Sequence, residues 1–103
     1  MNTQIIKTFL ENFSQLYIEC TMSTQAPLIP EYFDKLQNIK KYVDVLDTNT
    51  EKSKEFYEGF LVGVLTRANA HRNTYPKDTY AFAAFNSIFD LGAETLNDFR
   101  NVA

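Results

Sequence analysis

Five carboxylates at helical spacing are the side chains most suited to chemistry in this chain. They are Glu55, Glu58, Asp90, Glu94 and Asp98. Such groups bind a divalent cation when they converge on the interior of a helical bundle. The apolar residues beside them mark the opposite sides of their helices as inward, so a solvated charged surface without a metal is predicted.

The Glu55–Glu58 spacing also occurs in all-α magnesium-dependent nucleotide pyrophosphohydrolases, although the rest of that pattern is missing. A hydrolase that uses Glu55, Glu58, Asp90 and Glu94 is therefore the third functional hypothesis. A different functional hypothesis is favoured by the row of acids Asp90, Glu94 and Asp98. This row runs toward the C-terminal end of a helix, where the macrodipole is negative and each acid costs about 0.3–1 kcal/mol. The basic surface of a partner protein would compensate this cost.

Cys20 and His71 are the only cysteine and the only histidine. Their number excludes zinc fingers, iron–sulfur sites, HExxH metalloproteases and an intramolecular disulfide. A Cys–His nucleophilic pair would also need hydrogen-bond reach and a third orienting group. We interpret Cys20 as a small buried hydrophobe and His71 as a helix C-cap whose protonated form the dipole favours. No catalytic residue, metal site or cofactor is predicted.

A basic cluster with one aromatic ring follows the third apolar block. Its members are Arg67, His71, Arg72, Tyr75 and Lys77. Basic groups around a stacking ring are typical of an anion or single-stranded RNA site, which is the second functional hypothesis. The net charge of −3 and the pI near 5.0 argue against duplex nucleic acid. We favour the alternative that these bases neutralise nearby acids.

Four blocks of apolar residues recur at steps of three and four, which predicts four amphipathic helices. The predicted ranges are about 3–21, 30–46, 50–72 and 78–101. Pro30 suits the first turn of the second helix, Thr48 with Glu51 matches a capping box, and Asp78 or Thr79 can cap the fourth helix. Gly92 is a candidate kink or break.

The short joints predict one all-α domain over residues 1–103, an antiparallel up-down-up-down four-helix bundle. We call the end where the first and third helices finish the top end. Dividing each helix at its midpoint gives the top end four acids and four bases. The other end has nine acids and six bases, so it carries the whole net charge.

Gly59 and Gly63 are the sharpest anomaly, since two glycines inside a helix cost about 2 kcal/mol relative to alanine. With Phe56 and Phe60 they form a side away from the main inward line. We predict a close helix–helix contact there, within the fold rather than with a second copy, and keep a homodimer as the alternative. The tyrosines off the inward lines are predicted to be exposed: Tyr42, Tyr75 and Tyr80.

The leading hypothesis is a small acidic interaction module of the inhibitor, immunity-type or accessory-subunit kind. Its predicted partner is a protein with a basic surface, bound through Asp90, Glu94, Asp98 and the glycine side of the third helix. The N-terminus lacks the pattern of a signal peptide. The longest stretch without a polar side chain, Gly59 to Leu65, has seven residues, whereas about 18 span a bilayer. A cytoplasmic location without membrane association is therefore expected.

Overall fold

A computed structural model describes residues 3–24, 29–46 and 49–102 of the chain. These residues form four helices: α1 (Gln4–Met22), α2 (Pro30–Asp44), α3 (Lys54–Arg72) and α4 (Tyr80–Val102). No strand occurs among them. The helices pack into a compact bundle, which confirms the predicted all-α class.

The helix starts show how local sequence sets the boundaries. Pro30 occupies the first turn of α2, as predicted. Helix α3 begins at Lys54 rather than at residue 50, because Ser53 caps it by accepting a hydrogen bond from the Phe56 amide at 3.1 Å. The expected capping residue Thr48 lies outside the described residues. Thr79 caps α4 through its side-chain oxygen, as one of the two predicted alternatives.

The four helices form a ring in which each helix contacts the next, and α4 packs most closely against α3. Two hydrogen bonds fix the antiparallel directions. At the start of α2 the Tyr32 hydroxyl donates to the Cys20 carbonyl at the end of α1, at 3.1 Å. The Lys35 ammonium donates to Thr74 Oγ1, just beyond α3, at 2.9 Å. The top end therefore gathers the helix ends predicted for it.

The core contains most of the predicted apolar lines. Five apolar residues of the second block recur at steps of four and three, and all five are buried: Tyr32, Leu36, Ile39, Val43 and Leu46. In α4 the buried arc is broader than the aromatic spacing suggests, because α1 and α3 both pack against it. Ala81, Ala84, Ile88 and Thr95 are buried there, whereas the aromatic residues Phe82 and Phe89 are half-buried.

Gly92 does not split α4, which continues unbroken from Tyr80 to Val102. The glycine is buried against α3. A methyl group at this position would lie 3.3 Å from Leu65 Cδ2 and 3.5 Å from Val64 Cγ1. Gly92 therefore serves close packing of α3 against α4 rather than a break in the helix.

Membrane crossing needs a long apolar helix, and none of the helices in the described ranges meets that requirement.

Candidate functional site

Helices α1 and α4 carry five acids that form no ion pair within the described residues. We call this surface the acidic face, and its acids are Glu11, Glu19, Asp90, Glu94 and Asp98. Only two bases, Lys7 and Arg100, occur on these two helices, whereas the rest of the sequence has eight acids and eight bases. The net charge of −3 therefore belongs to α1 and α4, on one side of the bundle.

The acidic face differs from the rest of the surface in its lack of ion pairs. On α2 and α3, Glu31 pairs with Lys35 at 2.8 Å and Glu58 with Lys54 at 3.8 Å. Within the described ranges no acid of the acidic face forms such a pair. Asp90 instead accepts a hydrogen bond from Asn86 at 3.4 Å. Glu19 likewise accepts a hydrogen bond from Gln15 at 3.4 Å, so neither of these two acids is paired with a base.

A groove of about 270 Å³ separates α1 from α4 on the acidic face. Its floor is apolar and consists of Ile5, Phe9 and Leu91. Its polar lining comprises Glu94, Asp98 and Thr95, together with a row from α1: Gln4, Thr8 and Asn12. This α1 side of the groove was not predicted, although an uncharged polar row at steps of four was its signal in the sequence.

Gly63 has a close neighbour within the fold, but this neighbour is a side chain of α2 and not the closely approaching helix that was predicted. A methyl group at Gly63 would lie 2.7 Å from Tyr42 Cζ and still closer to the hydroxyl oxygen. The Tyr42 ring stacks on Phe60 with centroids 5.0 Å apart and planes at 9°. The Arg67 guanidinium carbon lies 3.7 Å from the centroid of the Tyr42 ring. Gly59, in contrast, has nothing within 4 Å of such a methyl group, so the predicted contact within the fold is absent there.

A second groove, of about 410 Å³, lies between α2 and α3, and we call it the α2/α3 groove. It is lined by Tyr42, Val45, Glu55, Phe56, Gly59 and Phe60. Phe60 is 5% exposed and forms its floor, so this ring belongs to the core. Phe56 is 45% exposed at its edge. Because the helices form a ring, this groove and the acidic face lie on opposite sides of the bundle.

The five residues of the predicted anion site point in different directions. Arg67 lies over Tyr42, on the α2 side of α3. Arg72 turns toward α4, where its guanidinium carbon is 4.3 Å from the Phe89 ring centroid and its Nη1 donates to Asn86 Oδ1 at 2.8 Å.

Tyr75 stacks on Phe85, with ring centroids 5.9 Å apart, and the Lys35 ammonium lies 4.9 Å from its centroid. His71 contacts the same Phe85 ring, and Lys77 is exposed in the loop. The structure thus holds most of these side chains in packing contacts instead of around one open space. Tyr42, Tyr75 and Tyr80 are all half-buried, so the expectation that they are exposed is wrong.

His71 is not the protonated cap that we expected. Burial, followed by the positive charges of Lys35 and Arg67, lowers the pKa of His71 below its ordinary value of 6.5. The folded protein therefore favours the neutral imidazole.

Cys20 is buried, and burial with the nearby Glu19 charge raises the pKa of its thiol to about 11. Hydrogen bonding to Tyr32 and Tyr80 lowers this pKa by a smaller amount. The thiol is therefore protonated near neutral pH, which is the state of an unreactive cysteine.

The carboxylates of the third hypothesis are divided between two surfaces. Glu55 lines the α2/α3 groove and Glu58 pairs with Lys54, whereas Glu94 lines the groove on the opposite side. Over the described part of the chain, no three His, Cys, Asp or Glu side chains are grouped so that they could hold a metal ion.

Comparison with protein families, curated proteins and solved structures yields no significant match to this chain.

Proposed function

We propose that this protein acts by binding another protein, and that its acidic face receives a basic surface of that partner. The observation that carries the proposal is the segregation of charge: α1 and α4 hold the whole net charge, and their acids lack ion-pair partners within the described residues. Such a surface steers a basic partner and speeds its association at low ionic strength.

The placement of charges relative to the helix dipoles supports a role in binding. Helices α2 and α3 have an acid in the first turn and a base in the last turn, which stabilises a helix. Helices α1 and α4 have no acid in the first turn, and α4 has two acids, Glu94 and Asp98, in its C-terminal half, with Arg100 as the base of its last turn. Asp98 opposes the dipole by up to about 0.3–1 kcal/mol and Glu94 by less, because the effect falls off beyond the last turn. The acids of α4 are therefore not explained by helix stability.

The groove on the acidic face suits a lysine or arginine side chain. The apolar floor formed by Ile5, Phe9 and Leu91 would cover the alkyl stem, and the carboxylates of Glu94 and Asp98 would meet its charge at the rim. This combination favours a partner that presents long basic side chains over a small anionic or apolar ligand. An inhibitor or accessory subunit of a basic protein is the corresponding biological role.

The alternative hypotheses have less support. An anion or RNA site would need Arg67, His71 and Arg72 to converge, but their contacts are with three different rings. A hydrolase would need carboxylates that converge, and the described ones are divided between opposite surfaces.

The test captures partners from an extract of the native cells, with mass-spectrometric identification and quantification. The site variant is Glu94→Gln with Asp98→Asn, and Asp90 is retained because it bonds to Asn86. The matched control is Asp34→Asn with Asp78→Asn, which removes two exposed charges elsewhere.

We expect the site variant to retain less than about a tenth of a basic partner, and the control to retain it fully. Capture should also weaken as salt is added. Equal capture of the partner by both variants would show that the acidic face is not the binding site. Binding of an oligonucleotide that depends on Arg67 and Arg72 would favour the RNA hypothesis.

A further inference from the structure

We propose that the α2/α3 groove is the contact surface of a homodimer, in which a second copy of this chain covers the groove by two-fold symmetry. This inference concerns the side of the bundle opposite the acidic face and does not depend on the proposed function.

Apolar exposure at this groove exceeds what a solvated surface needs. Val45 is 75% exposed and Phe56 45% exposed at its edge, and Val62 is 43% exposed one turn further along α3. Gly59 lies between them, and the space that a methyl group would occupy at this residue is empty. Contiguous apolar surface of this kind marks an interaction site.

The outward side of α3 lacks the charges that normally cover a solvated helix. From Gly59 onward its exposed positions are small or apolar, apart from Arg67, which lies over Tyr42. These positions are Gly59, Val62, Thr66 and Ala70. Small residues allow another backbone to approach closely, so an aromatic ring or a helix of a second copy can reach the surface of α3.

The charges around the groove favour a second copy over a strongly charged partner. Glu55 lines the groove without an ion pair among the described residues, and two bases lie over groove-lining rings, Lys52 over Phe56 and Arg67 over Tyr42. A two-fold interface is self-complementary, so each Glu55 can meet a base of the other copy. The two acidic faces then point away from each other. The whole thickness of the dimer separates them, so salt screens their repulsion.

The bundle is also large enough for such an interface. Its two longer Cα extents are 41 and 22 Å. A stable dimer buries about 800 Å² on each partner, which a side of these dimensions can supply. The second copy would place its own Phe56 against the open side of Gly59, so that both anchors are used twice.

The mass of the full-length chain should be measured by sedimentation equilibrium as a function of concentration. The test variant is Gly59→Lys, whose Cβ has nothing within 4 Å in the monomer and which replaces a poor helix former. Asn97→Lys is the matched control, because it adds the same charge at an exposed position on the outer side of α4. Circular dichroism should show equal helix content in all three proteins.

We expect the wild-type chain and Asn97→Lys to reach the dimer mass, and the dissociation constant of Gly59→Lys to be at least about tenfold higher. Glu94→Gln with Asp98→Asn should leave the dimer intact, so a failed partner test leaves this result unaffected. A wild-type chain that stays monomeric up to about millimolar concentration would refute the dimer. A mass that rises without a plateau, or equal behaviour of Gly59→Lys and Asn97→Lys, would refute it too.

Discussion

The two glycines of α3 allow one substitution to be compared in two environments of the same helix. Glycine to alanine raises helix propensity by about 1 kcal/mol at an exposed interior position. At Gly59 the methyl group enters open space, so the full gain is expected. At Gly63 it collides with the Tyr42 ring, which must move.

Moving Tyr42 has a cost that can be assigned to its contacts. The stack on Phe60 contributes about 0.5–1.5 kcal/mol. The Arg67 guanidinium over the same ring contributes about 0.5–1 kcal/mol. These losses cancel or exceed the propensity gain, so Gly63→Ala should be neutral or destabilising. The free energy of unfolding of Gly59→Ala should therefore be about 1–2.5 kcal/mol higher than that of Gly63→Ala.

The assay is urea denaturation of dilute monomer, with thermal melting as a second measurement. A difference of 1 kcal/mol corresponds to about 4–8 °C in a domain of this size. In a Tyr42→Ala background the collision is removed, so Gly63→Ala should become as stabilising as Gly59→Ala. If Gly63→Ala already stabilises the wild-type chain by the same amount, Tyr42 does not pack on Gly63 as described.

Three further predictions concern single buried groups. Because the pKa of His71 is lowered on folding, the contribution of this residue to stability is complete above pH 6.5 and decreases as the pH falls below that value. Urea titrations between about pH 5 and 7.5 should show this decrease, and His71→Gln should reduce it. The Cys20 thiol, with a pKa of about 11, should resist Ellman's reagent near pH 8 in the folded protein and react promptly in concentrated guanidinium; fast reaction of the folded protein would contradict its burial. Gly92→Leu should destabilise the bundle by about 1–3 kcal/mol, because the added atoms would displace Leu65 from the α3–α4 contact; an unchanged urea midpoint would show that this contact is loose.

The helices and their inward lines could be predicted because hydrophobic periodicity determines both. The role of Gly92 could not be predicted in this way. A glycine within a helical pattern is compatible with a kink or with close packing, and only the Leu65 and Val64 side chains of another helix decide between them. The same limit applies to Gly63, whose neighbour Tyr42 is 21 positions earlier in the chain.

The candidate site was predicted in part. The exposed positions of Asp90, Glu94 and Asp98 followed from the helical period, and these acids are exposed. The contribution of α1 was missed because charge was compared between the two ends of the bundle. That comparison cannot show which helices are neighbours, so the contrast between the α1–α4 side and the α2–α3 side became visible only from the packing.

The predicted anion site was not found for a different reason. Arg67 and Arg72 are five positions apart in α3, so a helix turns them toward different neighbours. One guanidinium covers Tyr42 of α2 and the other covers Phe89 of α4. Proximity in sequence therefore overestimated their proximity in space, and the aromatic rings of adjacent helices hold both side chains.

The two proposed surfaces are compatible because they lie on opposite sides of the ring of helices. A dimer formed through the α2/α3 groove leaves both acidic faces accessible and directs them outward. A partner with two basic sites could then bind both faces, and the second contact would form at the raised effective concentration that linkage provides. Loss of the packing at Gly59 would weaken the binding of such a partner although every acid is retained. Loss of Glu94 and Asp98 would weaken its binding to the dimer and to the monomer alike.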